Sequence, residues 1–514
     1  MPVSKTTETP GLAQSAAAGV AWSTISTAGR QFVSIASLAT VARLLGPGAY
    51  GVMGMATLVT VFIANFRDLG TGTAIVQRLT ITDRLLSSLF WVNCVLGLCL
   101  SLIIVAASPL AAHFFGAPQL AAILSVIAVS FWSTSLGVVH NSVLLREMRF
   151  KALAVADLGS ALIGYGVALG CAYSGLGVWS LVFANVAAST TNTAMYWIAS
   201  TWRPSFVFDK SEVRSVGKFS LNLSGFILVN YASRNSDNII VGKMLGSAPL
   251  GNYQMAYNLM LTPLQNVSTV IAQVTLPAFS QMQNDDARFR TAYIRSSGVV
   301  ALVTFPMMAG LCIVADPFIR AVLGAKWIAA IPVFQILAPV GLLQSIQTLV
   351  GSIYMGKGRT DWMFRFGVFF SVVVVTAFLI GVRFGISGVA WAYFIAYFGV
   401  LAYPGFVIPF RLIGLKFRDF AAALAPQILL TTIMSAICWT ALHTMTAVGV
   451  TNPWIKLVST SALGVIIYLV GLATVRPPVV AYVIAVLRAS NKVIVVRFTN
   501  ILARIIRVPN PQWS

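Results

Sequence analysis

The sequence predicts an all-α polytopic membrane protein of about fourteen transmembrane helices, with two parallel six-helix repeats around a central cavity and two extra C-terminal helices. Three observations carry this prediction. Of 514 residues, 58% are hydrophobic and only 9% are charged, whereas a soluble domain carries about 25% charged residues. Apolar runs of about 20 residues, the length that crosses a hydrocarbon core of ~30 Å, recur from residue 17 almost to the end. Two stretches 200 residues apart share sequence.

The runs fall at 17–43, 50–66, 86–107, 119–140, 153–173, 177–200, 217–242, 251–277, 296–315, 330–354, 364–382, 387–410, 421–442 and 455–475. No connection between them is long enough for a globular domain. The longest, 201–216 and 278–295, have room for a short interfacial helix each. The chain therefore divides into a tail (1–16), a six-helix half (17–205), a second six-helix half (206–415), two additional spans (416–475) and a basic tail (476–514).

Charge gives the direction. The chain holds 34 Lys and Arg against 13 Asp and Glu, a net +21. In a soluble protein such an excess points to nucleic acid; here it follows topology. With the N-terminus inside, 26 of the 34 cations fall in inner segments, six in outer segments, and Arg30 and Arg234 within spans. That is the positive-inside pattern, so both termini are expected in the cytoplasm and no nucleic-acid partner is expected. Beyond 475, Ile494, Phe498, Ile501, Leu502 and Ile505 share one helical face and Arg497, Asn500, Arg504 and Arg507 another. That pattern describes an amphipathic helix on an anionic leaflet. The polar first sixteen residues read as a retained tail, and the five scattered cysteines as buried small hydrophobes.

The repeat is visible in LLGPGAYGVMGMA, ending at Ala56, and MLGSAPLGNYQMA, ending at Ala256. Between Leu45–Ala56 and Leu245–Ala256 five of twelve positions agree. GLGVWSLVF from Gly175 and GISGVAWAY from Gly385 match at a shift of 210, which Arg149 and Arg359 share. In order, these matches align spans 1–6 with spans 7–12 in the same orientation. Parallel halves of this kind rock around a central site in secondary transporters. The Gly/Pro turns suit tight helix–helix corners; they lack the Lys-Ser/Thr of a phosphate loop.

The corner Leu45–Gly51, DLGTGTAIVQR (68–78), LLREMRFKALAVAD (144–157), LVNYASRNSDNIIVGKMLG (228–246) and LGNYQMAYNL (250–259) resemble the polysaccharide-flippase branch of the multidrug/oligosaccharidyl-lipid/polysaccharide exporter superfamily. Within it the chain is most similar to Wzx-type exporters. The resemblance implies alternating-access flipping of undecaprenyl-diphosphate-linked oligosaccharide from the cytoplasmic to the periplasmic leaflet of the bacterial inner membrane, for exopolysaccharide or lipopolysaccharide export. It implies membrane lipids, and polymerase and chain-length proteins of the same pathway, as partners. Proton or sodium coupling is compatible with it, and no cofactor is expected.

Charges at bilayer depth normally face a cavity or a partner. In span 1, Ser23, Thr27, Arg30, Ser34 and Ser37 form one polar stripe; in span 7, Asn230, Arg234, Asp237 and Asn238 form another. A guanidinium matches two phosphate oxygens and stays charged. Arg30 and Arg234 are therefore the diphosphate-binding candidates. The competing assignment pairs Arg234 with Asp237 on its own helix and Arg30 with facing carbonyls. Asp237 is the candidate for ion coupling, and Asp157 reads as an interfacial anchor. Asn230, Asn238, Gln254, Asn258 and Gln265 are candidate sugar contacts, although amides also join membrane helices. Tyr253, Tyr257 and Trp179 read as interfacial anchors before sugar platforms, and His140 as a packing residue.

A cation-coupled multidrug antiporter of the same superfamily shares the twelve-helix core; the basic tail and the arginines favour an anionic cargo. Lipid II and teichuronic-type glycans stay open as cargo. A membrane enzyme is disfavoured, because outer loops are short and no metalloprotease, phosphate-loop or paired-carboxylate motif occurs.

Overall fold

A computed structural model describes residues 10–67, 71–78, 80–210, 231 and 234–488, and among the described residues every regular element is helical. The chain divides into two compact units, Met1–Gly251 and Asn252–Ser514.

The first unit contains α1 (Pro10–Leu45), α2 (Pro47–Ala64), α3 (Thr71–Gln77), α4 (Asp83–Phe115), α5 (Gln119–Arg146), α6 (Phe150–Tyr173), α7 (Trp179–Ala199), α8 (Ser236–Leu245) and the first turn of α9 (Ser247–Gln281). Its boundaries follow local chemistry. Thr82 accepts the Leu85 N–H at 3.1 Å and opens α4; left-handed Gly116 closes it. At both predicted corners the turn is a single glycine at positive φ, Gly46 (80°) and Gly246 (87°), a conformation that costs glycine little. Small residues set the close packing: a Cβ on Gly97 would lie 2.4 Å from Ser135 Cβ, fitting α4 against α5. Small-residue contact is the usual way for membrane helices to approach.

The second unit continues α9 and adds α10 (Asp286–Ile313), α11 (Ala330–Gln347), α12 (Val350–Gly356), α13 (Thr360–Gly381), α14 (Gly385–Ala396), α15 (Ala402–Arg411), α16 (Phe417–Ala447), α17 (Pro453–Val475) and α18 (Pro478–Arg488). Phe279, Phe289, Tyr293, Phe406, Phe410 and Phe420 anchor its main core. The last long pair, α16 and α17, packs through Cys438, Gly464 and Leu430, and Tyr468 Oη donates to the Leu302 carbonyl of α10 at 2.8 Å.

Nine helices among the described residues are long and apolar enough to cross a membrane. Ten of the predicted spans fall within them, because Thr360–Arg411 holds two. The four others, 17–43, 177–200, 217–242 and 251–277, are more polar. Three of them are the helices α1, α7 and α9; most of 217–242 lies outside the described residues. The connection 278–295 forms no separate interfacial helix: α9 runs to Gln281 and α10 starts at Asp286, where Asp285 accepts the Arg288 N–H. The cysteines also depart from expectation. Cys438 is buried, but Cys99 is exposed on the apolar outside of α4. The amphipathic tail 494–507 lies outside the described residues.

Candidate functional site

In the first unit, α1, α6 and α7 meet at one polar cluster. Gly29 lets α1 approach α6, since a Cβ there would lie 2.5 Å from Leu158 Cδ2. Gly164 does the same for α6 and α7 against Ala188, at 2.9 Å. Held this way, Arg30 Nη1 lies 3.6 Å from Asp157 Oδ2. The other carboxylate oxygen accepts from Tyr196 Oη at 3.0 Å and from Asn192 Nδ2 at 3.3 Å, and Asn192 Nδ2 also lies 3.3 Å from Ser160 Oγ.

The electrostatics are asymmetric. Asp157 is largely enclosed, with its side chain 25% exposed, while that of Arg30 is 50% exposed. One guanidinium nitrogen is therefore taken by the carboxylate, while half of the side chain stays accessible. Ser23, Thr27 and Ser34 of the predicted stripe are also exposed, and Ser37 is half-buried. Arg30 pairs with a carboxylate, not with facing carbonyls, and Asp157 is its partner where the sequence suggested an interfacial anchor. Asn192 and Tyr196 were missed. Their i, i+4 spacing on α7, opposite Asp157 and Ser160 at i, i+3 on α6, was the available signal.

The second predicted stripe divides at Asn235. Its Nδ2 donates to the Tyr231 carbonyl at 3.0 Å, the backbone there departs from helical geometry (φ −113°, ψ 12°), and α8 starts at Ser236. Arg234 lies before this point, exposed and without an ion pair among the described residues, so the internal pair with Asp237 does not form. Asp237 is buried, 3% exposed, in the first turn of α8, and accepts the Asn238 N–H at 2.7 Å. A carboxylate is favoured at that end of a helix. Asn238 is half-buried; Asn230 lies outside the described residues.

Gln254, Asn258 and Gln265 belong to the second unit, on α9, the first half-buried and the other two exposed. Tyr253 is fully buried and stacks on Tyr257 at 6.1 Å, so Tyr253 offers no face to a sugar. Trp179 stacks on Phe183 at 5.7 Å. His140 is buried in an aromatic box, 4.2 Å from the Trp197 ring. Among the described residues no three His, Cys, Asp or Glu side chains converge to hold a metal.

Comparison with known proteins completes the description. The family described as "Polysaccharide biosynthesis protein" matches residues 40–332, more than half of the chain. The teichuronic acid biosynthesis protein TuaB of Bacillus subtilis is 27% identical over 75% of this chain and 80% of its own length. The lipopolysaccharide biosynthesis protein WzxC of Escherichia coli is 26% identical over 79% and 83%. The lipid II flippase MurJ, in an inward closed conformation, shares the fold, with a TM-score of 0.68 at 16% identity, covering 88% of this chain and 98% of that one. The long apolar helices and these bacterial relatives make it a multi-pass inner-membrane protein related to the Wzx-type polysaccharide flippases. A family match of this extent decides the kinship: the chain belongs to the polysaccharide biosynthesis protein family.

Proposed function

We propose that this protein flips undecaprenyl-diphosphate-linked oligosaccharide repeat units from the cytoplasmic to the periplasmic leaflet, for exopolysaccharide or lipopolysaccharide export. The observation that carries the reading is Arg30. It lies about midway along α1, held by Asp157 on one side and open on the other. An arginine in a span is costly, and this one, besides its pair with Asp157, keeps donors for a diphosphate. Relatives named for teichuronic acid and lipopolysaccharide biosynthesis support a lipid-linked glycan as cargo. The fold shared with a lipid II flippase supports it further.

In this reading, the halves 17–205 and 206–415 rock about a central cavity by alternating access, spans 13 and 14 complete a fourteen-helix count, and both termini are cytoplasmic. Arg234 is the second diphosphate ligand. Asn230, Asn238, Gln254, Asn258 and Gln265 contact sugars, and Asp237 takes up the coupling proton or sodium ion.

Depletion in the native host tests the proposal. Lipid-linked oligosaccharide should accumulate on the cytoplasmic leaflet, and mass spectrometry of that lipid identifies the cargo. Accumulated lipid II would reassign the cargo. Dye or drug export by the purified protein, with no lipid-linked species accumulating in cells, would replace the reading with a multidrug antiporter.

A further inference from the structure

Outside the polar cluster, the helix pair α6 and α7 carries a groove of about 500 Å³. Its walls are apolar: Val155 on α6, and Met195, Ile198 and Ala199 on α7. Val155 is 48% exposed and Ile198 81% exposed, so the groove opens outward. Its mouth carries two cations, Arg149 and Lys151, at the start of α6. Arg149 Nη1 donates to the Ala199 carbonyl at 2.7 Å, which fixes the guanidinium at the last residue of α7. Lys151 Nζ lies 5.7 Å from the Trp22 ring centroid. Glu147 is the acidic neighbour, 3.8 Å from Arg149 across an exposed pair that contributes little.

We propose that this groove is a binding site for an anionic phospholipid, with its phosphate between Arg149 and Lys151 and an acyl chain along Val155, Met195 and Ile198. Charge complementarity decides the occupant. Two cations at one end of an apolar, outward-opening trough match an anionic head joined to a hydrocarbon tail, and basic pockets between membrane helices recruit such head groups. The site is distinct from the Arg30 cluster: Val155 and Asp157 point about 200° apart around α6. With the start of α6 on the cytoplasmic side, the lipid comes from the inner leaflet.

The test uses the purified full-length protein in neutral detergent, followed by native mass spectrometry and thermal unfolding with phosphatidylglycerol, phosphatidylcholine or undecaprenyl phosphate. Phosphatidylglycerol should be retained about tenfold better than phosphatidylcholine and should raise Tm in a concentration-dependent way. Lys151→Glu should abolish that preference while folding normally, because an acidic residue suits the first turn of a helix. Ile198→Trp, which fills the groove and keeps both cations, should lower retention of phosphatidylglycerol. Arg383→Glu, at an exposed cation of the second unit that is not among the residues lining the groove, should change nothing. Equal retention of phosphatidylcholine, or unchanged preference in both groove variants, overturns the proposal. So does undecaprenyl phosphate displacing phosphatidylglycerol at lower concentration, which would make the groove a cargo site.

Discussion

Gly51 of α2 lies against Ser247, the first residue of α9, so closely that a Cβ on Gly51 would sit 1.7 Å from the Ser247 carbonyl oxygen. The reciprocal contact exists too: a Cβ on Gly251 would sit 1.9 Å from the Pro47 carbonyl oxygen. Adding 200 to Pro47 and Gly51 reaches Ser247 and Gly251, so each contact is the other with its partners exchanged. Reciprocity of this kind is the signature of a two-fold relation. It supports the proposed duplication at the residues where the sequence match is strongest.

Gly51→Ala should therefore be poorly tolerated. The atom in the way belongs to the backbone, which cannot rotate aside, and overpacking costs about 1–3 kcal/mol. Gly48→Ala, one turn earlier on the same helix and with nothing within 4 Å, should be neutral or slightly stabilising. Thermal unfolding of the two variants in detergent compares them directly. Equal Tm values would mean that the corner yields and that the contact is not a constraint.

Arg30 and Asp157 should respond in opposite directions. Arg30→Gln removes the donor and should lower retention of a polyprenyl-diphosphate lipid by about tenfold. Asp157→Asn keeps an oxygen acceptor for Tyr196 and Asn192 but removes the charge that competes for the guanidinium, so retention should rise. The pair itself should contribute only about 0.2–1 kcal/mol to stability, since Arg30 is half exposed. Native mass spectrometry with an undecaprenyl-diphosphate glycan reads the retention. A fall in both variants would give Arg30 a structural role.

These residues also show how far the sequence could be read. Arg30 stood out because a cation in an apolar run is conspicuous, and Ser23, Thr27 and Ser34 around it are exposed while Ser37 is half-buried. Its partner did not stand out, because the approach of α1 to α6 depends on Gly29 fitting under Leu158, a contact between distant segments. Arg234 and Asp237 seemed to share a face only if the backbone between them were helical, and at Asn235 it departs from that geometry (φ −113°, ψ 12°). Hydropathy found most spans. It is least distinct for α1, α7 and α9, where the polar residues of the candidate site dilute it.

His140 should prove a packing residue. It lies edge-on to Phe90 and Trp202, at 6.0 and 5.2 Å, and stacks on Trp197, whose Nε1 donates to the Leu136 carbonyl at 2.9 Å. His140→Phe preserves an aromatic ring and should fold and export normally. His140→Ala opens a void in the box and should cost about 3 kcal/mol. Lost export in a well-folded His140→Phe protein would assign the imidazole a role beyond packing.

In the second unit, α11 is tied to the segment around α14 by two tyrosine–glutamine bonds. Gln344 Nε2 donates to Tyr393 Oη, and Tyr397 Oη, on a buried ring, donates to Gln347 Oε1. Hydrogen bonds between membrane helices average about 0.6 kcal/mol, but an amide left without its partner costs more the more it is shielded, up to about 1–3 kcal/mol when fully buried, and Gln347 is half-buried. Tyr397→Phe should therefore destabilise by more than the bond itself is worth. Adding Gln347→Leu, which removes the stranded amide, should recover most of the loss. Denaturant or thermal unfolding of the two single variants and the double variant measures this. A double variant as unstable as the sum of its parts would show that Gln347 contributes through other contacts, such as that with Gly405, where a Cβ would lie 2.8 Å from Gln347 Nε2.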